Sequence, residues 1–561
     1  MSRIGVFVCH CGVNIAGIVD VERVAEEIGR HPEVVHATTY KYMCSEPGQH
    51  LLRDTIVEHD LDGVVVAACS PLMHETTFRR AASAAGLNPY RCGMANIREQ
   101  CSWVHEYEPR RATEKATEIV RCAVERVSLN RKLVPFNLPL VKRALVIGGG
   151  IAGMQAALDI ANAGFPVLLV ERETCLGGKM TRLSGTYLNF TAAPDLLERK
   201  IEQVLGHPNI QVLTGARVMR VEGYVGNFEV QVCDSEFDVG AIVMATGWDS
   251  YSLERLPEYG GGEIPDVVDG LTFEGMLRDG SDLRRPSDGR VCREVVFVQC
   301  AGSRDPERGV PYCSKVCCMY VAKQAMMFKE RVPEGQAYVF YIDIRSAGKG
   351  YDEYVQQAME DHDILYLRGK VSKVFRDGDR VIVWGADTLS GVPVEVAADL
   401  VVLATPMSPS RQAAELAQTL RVGVDQDGFF SEAHPKLRPV ESLTAGVFLA
   451  GAAQGPKDIP EAVAQASGAA AKVLKMFSWD EMTQEPTVAY VIEGLCSGCG
   501  VCVEACPYDA RQVHPVWDIA TVNAPLCQNC GACVVACPNK ASRIHNWTPD
   551  QILAMVDVVS W

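Results

Sequence analysis

Two stretches near the C-terminus limit this chain more than anything else in it. From Cys496 it reads Cys-Ser-Gly-Cys-Gly-Val-Cys-Val-Glu-Ala-Cys-Pro, and from Cys527 it reads Cys-Gln-Asn-Cys-Gly-Ala-Cys-Val-Val-Ala-Cys-Pro. Both are C-x2-C-x2-C-x3-C-P, the run that wraps a [4Fe-4S] cube with three close thiolates and sends the fourth to the neighbouring cube. On that rule one cube takes Cys496, Cys499, Cys502 and Cys537, and the other takes Cys527, Cys530, Cys533 and Cys506. Zinc is the alternative, but zinc ribbons pair two C-x2-C units and have no use for the remaining cysteines and proline. Residues 486–561 therefore read as a ferredoxin-type α+β electron-transfer domain, with no substrate chemistry of its own.

At 561 residues the chain has room for about three or four domains. Its 48% hydrophobic and 22% charged residues exclude global disorder and collagen-like repeats. A net charge of −16 argues against a phosphate-backbone partner, so no nucleic acid is expected. Ile4 to Val8 is too short for a signal-peptide core, and Ala144 to Val170 is broken by five glycines, so neither export nor a membrane span is expected. The 22 cysteines then imply thiols kept reduced, hence a cytoplasmic location, and clustered reduced thiols imply metal.

Upstream, residues 141–485 open on an apolar strand (Ala144 to Ile147), Gly148-Gly149-Gly150-Ile151-Ala152-Gly153, a helix, and a second strand ending at Glu171. The strand and helix context makes this a dinucleotide fingerprint. Gly148 makes the turn, Gly150 admits the pyrophosphate, Gly153 lets helix meet strand, and Glu171 is placed for a ribose hydroxyl. The motifs that follow, Gly177-Gly178-Lys179-Met180, Ala245-Thr246-Gly247 and Gly446 to Gly451, resemble the FAD domain of thioredoxin-reductase-like flavoproteins. That resemblance implies FAD, with Gly178, Lys179, Thr246, Gly247, Gly451 and Ala452 at its site. The family's final motif ends Gly-Asp where this chain has Gly451-Ala452. A second glycine fingerprint, for NAD(P)H, is expected about 100 to 150 residues further on. There the strand Glu294 to Gln299 runs instead into Cys300-Ala301-Gly302, so a degenerate second Rossmann repeat without nicotinamide is expected.

Cys300, Cys313, Cys317 and Cys318 fall within nineteen residues. Adjacent cysteines at a helix start suit separate bonds to one cluster edge, so a third [4Fe-4S] site is expected, with a redox dithiol or structural thiols as alternatives. Lys323, one to two turns further along that helix, is a candidate cation for a reduced flavin; a surface lysine is the alternative. Residues 1–140 read as a separate α/β domain with strands Ile4 to Val8 and Gly63 to Ala67 and helices Val21 to Ile28 and Glu108 to Val127. Cys9, Cys11, Cys44 and Cys69 each follow an apolar segment. In a parallel sheet such ends share one edge, where a fourth cluster could form; buried core thiols are the alternative. Cys92, Cys101, Cys122, Cys175, Cys233 and Cys292 are left without a cluster role.

Cys9-His10-Cys11-Gly12, Ala68-Cys69-Ser70-Pro71, Asn88-Pro89-Tyr90, Met94 to Gln100, the flavin fingerprint, the Cys300 to Cys318 set and the twin ferredoxin motif together resemble the A subunits of heterodisulfide reductases, along essentially the whole chain. The resemblance implies an FAD and iron-sulfur component of cytoplasmic anaerobic hetero-oligomers, associated with flavin-based electron bifurcation. It also implies as partners the B and C subunits, ferredoxin, and a hydrogenase, formate or NADH dehydrogenase module. Some members insert a cysteine-rich stretch after Gly-Gly-Lys-Met, whereas here Thr186 to Phe190 runs on with no cysteine between Cys175 and Cys233. The chain also lacks the Cys-Cys-Gly motifs of the disulfide-cleaving B component, so disulfide cleavage belongs to a partner. Three functions follow: a bifurcating flavin component, a non-bifurcating relay, or a stand-alone ferredoxin:NAD(P)H oxidoreductase.

Overall fold

The computed structural model describes residues 2–280 and 282–559. They form two compact units. One joins the N-terminal segment up to Leu138 with the C-terminal segment from Thr483, and the other is Pro139–Met482.

The N-terminal segment contains a four-stranded parallel sheet of β1 (Ile4–Cys9), β2 (Val34–Tyr40), β3 (Gly63–Ala68) and β4 (Cys92–Asn96), in the order β2-β1-β3-β4. Every residue of β1 and β3 is buried, which explains their uninterrupted apolar runs: helices cover both faces of a parallel sheet. Those helices are α1 (Val21–Ile28), α2 (Glu46–Glu58), α3 (Pro71–Ala84) and α4 (Pro109–Ser128). Asp20 caps α1 by accepting from Arg23 N, and Ser45 caps α2 from Gly48 N.

The ferredoxin segment packs in the same unit. Its C-terminal helix (Pro549–Asp557) lies along α4, where Gln551 Nε2 donates to Arg126 O at 3.1 Å and to Asn130 Oδ1 at 2.7 Å, and the Arg126 guanidinium sits 4.8 Å from the Trp547 ring centroid. The segment itself is built twice over. Strand Ala489–Val491 pairs antiparallel with Ser542–Ile544, and Arg511–Val513 with Ala520–Val522. Each cysteine run leads into a short helix whose preceding glycine, Gly500 or Gly531, has φ of 79°.

In the Pro139–Met482 unit two five-stranded parallel sheets share one topology in four of their strands. The first runs Val447–Leu449, Ala241–Met244, Ala144–Ile147, Val167–Val170, Ile210–Leu213. The second runs Val267–Asp269, Leu400–Leu403, Glu294–Val298, Gln336–Tyr341, Leu365–Arg368. A three-stranded antiparallel sheet comes between Ile210–Leu213 and Ala241–Met244 in the first and between Leu365–Arg368 and Leu400–Leu403 in the second; they differ in the edge strand, since Val447–Leu449 is the last strand of its sheet in chain order and Val267–Asp269 the first of its own. The helix expected to start at the adjacent cysteines spans Cys317–Arg331. Among the described residues no helix is long and apolar enough to cross a membrane.

Candidate functional site

At the carboxyl edge of the first sheet lies a cleft of about 990 Å³. Gly148, with φ of +110°, makes the turn out of strand Ala144–Ile147; a Cβ there would meet Ala245 O at 2.3 Å. The fingerprint helix, Ile151–Asn162, follows at once, and a Cβ at Gly153 would meet Gly148 O at 1.8 Å. At Gly150, by contrast, an added Cβ meets nothing within 4 Å. The space in front of it is the cleft, the close backbone approach that a pyrophosphate needs.

Of the residues singled out in the sequence, Gly148, Gly150, Glu171, Gly178, Lys179, Thr246, Gly247, Lys323 and Ala452 line this cleft. Gly153 and Gly451 do not; Gly451 has φ of +67° and closes against Ala152, so it serves the turn beneath. Backbone N–H groups orient the Glu171 carboxylate, Gly149 at 2.6 Å and Glu173 at 2.9 Å. Helix Ile459–Phe477 opens on the cleft behind a capping box of Asp458 and Glu461, which directs its positive end inward. Two buried polar atoms in the wall, Thr246 Oγ1 and Gln324 Oε1, have no hydrogen-bond partner. Buried polar groups are almost always paired, so a ligand with donors and acceptors, as FAD has, fits this wall.

Lys323 is not on the surface. It is 2% exposed, and Nζ donates to Glu274 Oε2 and Gly185 O at 2.7 Å and to Ser184 Oγ at 3.3 Å. Burial pushes its pKa down and the Glu274 carboxylate opposes that. Glu274, on the helix Gly270–Arg278, escapes sequence reasoning; its only signal is one acid within Gly-Leu-Thr-Phe-Glu-Gly-Met-Leu. Thr186 to Phe190, the cysteine-free run that follows Gly-Gly-Lys-Met, forms a turn over the cleft. It is closed by Thr186 N donating to Thr191 O at 2.9 Å, and tied down where the Tyr187 and Tyr351 hydroxyls donate to Asp458 Oδ2 at 2.8 and 2.7 Å.

In the second sheet the turn into the helix is replaced by a loop. Strand Glu294–Val298 is followed by Cys300, whose φ is +59°, then by a loop carrying Cys313, and the helix begins on Cys317 and Cys318. These four thiols fall within electrostatic reach of one another. Burial pushes Cys318 up to about 11, with Cys300 and Cys313 adding to it, and Cys317 is raised by burial and by Cys318 and Cys300. Buried thiols so close ionise together only with a cation among them, which cluster iron supplies. Backbone N–H groups already face two of them, Lys315 N on Cys313 Sγ at 3.2 Å and Arg345 N on Cys318 Sγ at 3.4 Å.

At the carboxyl edge of the N-terminal sheet, Cys9 ends β1, Cys11 and Cys44 sit in the loops after β1 and β2, and Cys69 follows β3. Burial raises Cys9, with Cys11 and Cys44 adding; Cys69 is pushed up to about 11 by burial, with Arg98 opposing and Cys11 and Cys44 adding. Arg98, just past β4, donates Nη1 to Cys11 Sγ at 3.2 Å. The sequence showed it only as part of a motif, because its thiol partner lies far off in the chain.

In the ferredoxin segment, Cys496, Cys499, Cys502 and Cys537 line one small cavity, so the fourth thiol is contributed by the other run. Cys506 in turn lies within electrostatic reach of Cys533, as does Cys527, and Cys530 is exposed on the same loop. The six remaining cysteines stand apart. Cys92 and Cys292 are core residues, Cys101 bonds to Ala112 O and Cys122 to Met555 O, and Cys175 and Cys233 are exposed. Among the described residues no three His, Cys, Asp or Glu side chains close on a point as around a single metal ion.

Residues 142–276 match the pyridine nucleotide-disulphide oxidoreductase family, and residues 495–541 match the 4Fe-4S dicluster domain. One of the two A-type iron-sulfur subunits of CoB–CoM heterodisulfide reductase from Methanopyrus kandleri is 42% identical over 597 residues, covering 91% of this chain and 91% of that protein. The A-type component of the H(2):CoB-CoM heterodisulfide,ferredoxin reductase of Methanothermobacter marburgensis is 40% identical over 597 residues, covering 91% of this chain and 90% of that protein. Both alignments are longer than the chain, so both relatives carry residues that have no counterpart here. Among solved structures, thioredoxin reductase of Lactococcus lactis superposes with a TM-score of 0.43 and 20% identity, over 60% of this chain and 99% of the other.

Proposed function

The chain belongs to the family of heterodisulfide reductase A subunits, and from that premise we propose that it is the flavin hub of a multi-subunit oxidoreductase, joining one two-electron carrier to several one-electron sites. Its cofactors are FAD and [4Fe-4S] clusters. FAD, when bound, exchanges electrons as a pair or singly. Gly148 and Gly150 give its pyrophosphate bare backbone, Glu171 takes a ribose hydroxyl, and Gly178, Lys179, Thr246, Gly247 and Ala452 wall it in. Lys323 holds an ammonium, and a proton, against Glu274 at the inner wall.

The observation that carries this reading is a single helix. Cys317 and Cys318 start it, while Tyr320, Lys323 and Gln324 from the same helix line the flavin cleft. A cluster on Cys300, Cys313, Cys317 and Cys318 thus adjoins the cleft wall, and the clusters on Cys9, Cys11, Cys44 and Cys69 and in the ferredoxin segment extend the chain of one-electron sites. Partners like the B and C subunits take the electrons to the disulfide, with ferredoxin and a hydrogenase, formate or NADH dehydrogenase module as the other partners, in the cytoplasm. A second reading, a relay without bifurcation, is favoured by the cysteine-free turn at Thr186 to Phe190, which leaves one electron branch out.

The isolated chain, reconstituted under argon, should carry about sixteen irons if all four cubes form. Its flavin should stay oxidised in excess NADH or NADPH and should bleach with reduced ferredoxin or a low-potential dye. Rapid stoichiometric bleaching by NADH would make it a ferredoxin:NAD(P)H oxidoreductase instead.

A further inference from the structure

The two halves of the ferredoxin segment repeat each other closely, down to the residues after the last cysteine: Cys506-Pro-Tyr-Asp-Ala-Arg511 and Cys537-Pro-Asn-Lys-Ala-Ser542. Asp509 and Lys540, at matching positions, both have positive φ, 49° and 55°. Arg511 and Ser542 therefore occupy equivalent places, each opening a strand, and they meet inside the segment, where Arg511 Nη2 donates to Ser542 Oγ at 3.1 Å. The repeat is broken at this pair. One half puts a permanent cation there and the other a neutral hydroxyl.

Arg511 is 4% exposed, Ser542 is 1% exposed, and the Nε and Nη1 atoms of Arg511 have no hydrogen-bond partner. A guanidinium buried without an anion is strongly disfavoured, so a charge of opposite sign is expected beside it. Arg511 lines the cavity lined by Cys496, Cys499, Cys502 and Cys537, and it also lies within electrostatic reach of Cys533, so it touches the surroundings of both cubes. A cube bound by four thiolates is a dianion and becomes a trianion on taking one electron, a change involving no proton and no bond. A cation fixed beside it stabilises the reduced form more than the oxidised one.

We propose that Arg511 is a built-in counter-charge shared by the two cubes, the one on Cys496, Cys499, Cys502 and Cys537 and its twin on Cys506, Cys527, Cys530 and Cys533, and that it raises the reduction potential of the segment. This proposal rests on the reading of both cysteine runs as cluster ligands.

The test is an EPR-monitored redox titration of the full reconstituted chain. Arg511→Met should keep the wild-type iron and sulfide while moving the ferredoxin midpoints to more negative potential, with the flavin unmoved. Arg511→Lys should restore much of the shift. Unchanged midpoints of both cubes at full iron content would overturn the proposal. If Arg511→Met fails to assemble the segment, Arg511→Gln and Arg511→Lys decide: the glutamine variant titrating below the lysine variant supports it, and equal potentials refute it. Cluster signals unchanged in both Cys537→Ser and Cys506→Ser would instead overturn the ligand reading.

Discussion

The two five-stranded sheets of the Pro139–Met482 unit share four strands in the same order and the same antiparallel insertion, yet their carboxyl edges are built differently. In the first, Gly148 turns the chain and the helix starts on Ile151, so backbone N–H groups and a helix end stand open to an anion. In the second, the corresponding strand ends at Val298 and the helix waits until Cys317, with thiols at both ends of the intervening loop. Most of the frame is common to both, and the length of one loop decides whether bare backbone or thiols stand at its edge. The residues just inside each helix follow suit: Gly153 lets the first helix press against its turn, while Cys317 and Cys318 fill that region in the second.

The largest effect should come from closing the first grip. Gly150 has φ of −75°, a backbone that valine adopts freely, and an added Cβ meets no protein atom, so Gly150→Val should fold and yet retain no FAD. Flavin content after gel filtration measures this. The ferredoxin EPR signals should persist, and their disappearance would show that the two units do not assemble independently. A smaller loss should follow from opening the second grip. Cys317→Ser should cost about four irons per chain while FAD stays bound. Iron content unchanged by that variant would mean that the loop carries a dithiol and that the contrast between the sheets is not one of nucleotide against cluster. The smallest effect tests what the two halves share. Lys323→Met leaves Glu274 buried without its cation, so stability should fall by about 3 to 5 kcal/mol, and Lys323→Met with Glu274→Gln should recover part of that. Denaturant unfolding of the FAD-loaded single and double variants reads the difference; equal stabilities would mean that the pair is not coupled.

The chemistry most legible in the sequence is made by consecutive residues. The twin cysteine runs and the glycine fingerprint each lie on one loop, so their spacing is their geometry, and the degenerate second repeat was visible as the absence of such a loop after Glu294. Lys323 was legible only as a helix position. Whether it faced water depended on Glu274 and Ser184, 49 and 139 residues away. Arg98 and Cys11 are a further such pair, 87 residues apart.

By itself the sequence determined the ligand runs, the dinucleotide turn and the parallel sheets, because thiolate spacing, left-handed glycines and apolar strands act over a few residues. Tertiary structure alone decided that the two ends of the chain pack as one unit, that Lys323 is buried beside the flavin cleft, and that Arg511 and Ser542 meet inside the ferredoxin repeat. Burial and partner choice are set by whatever the fold brings alongside, and a buried charge is tolerated only where that neighbour answers it.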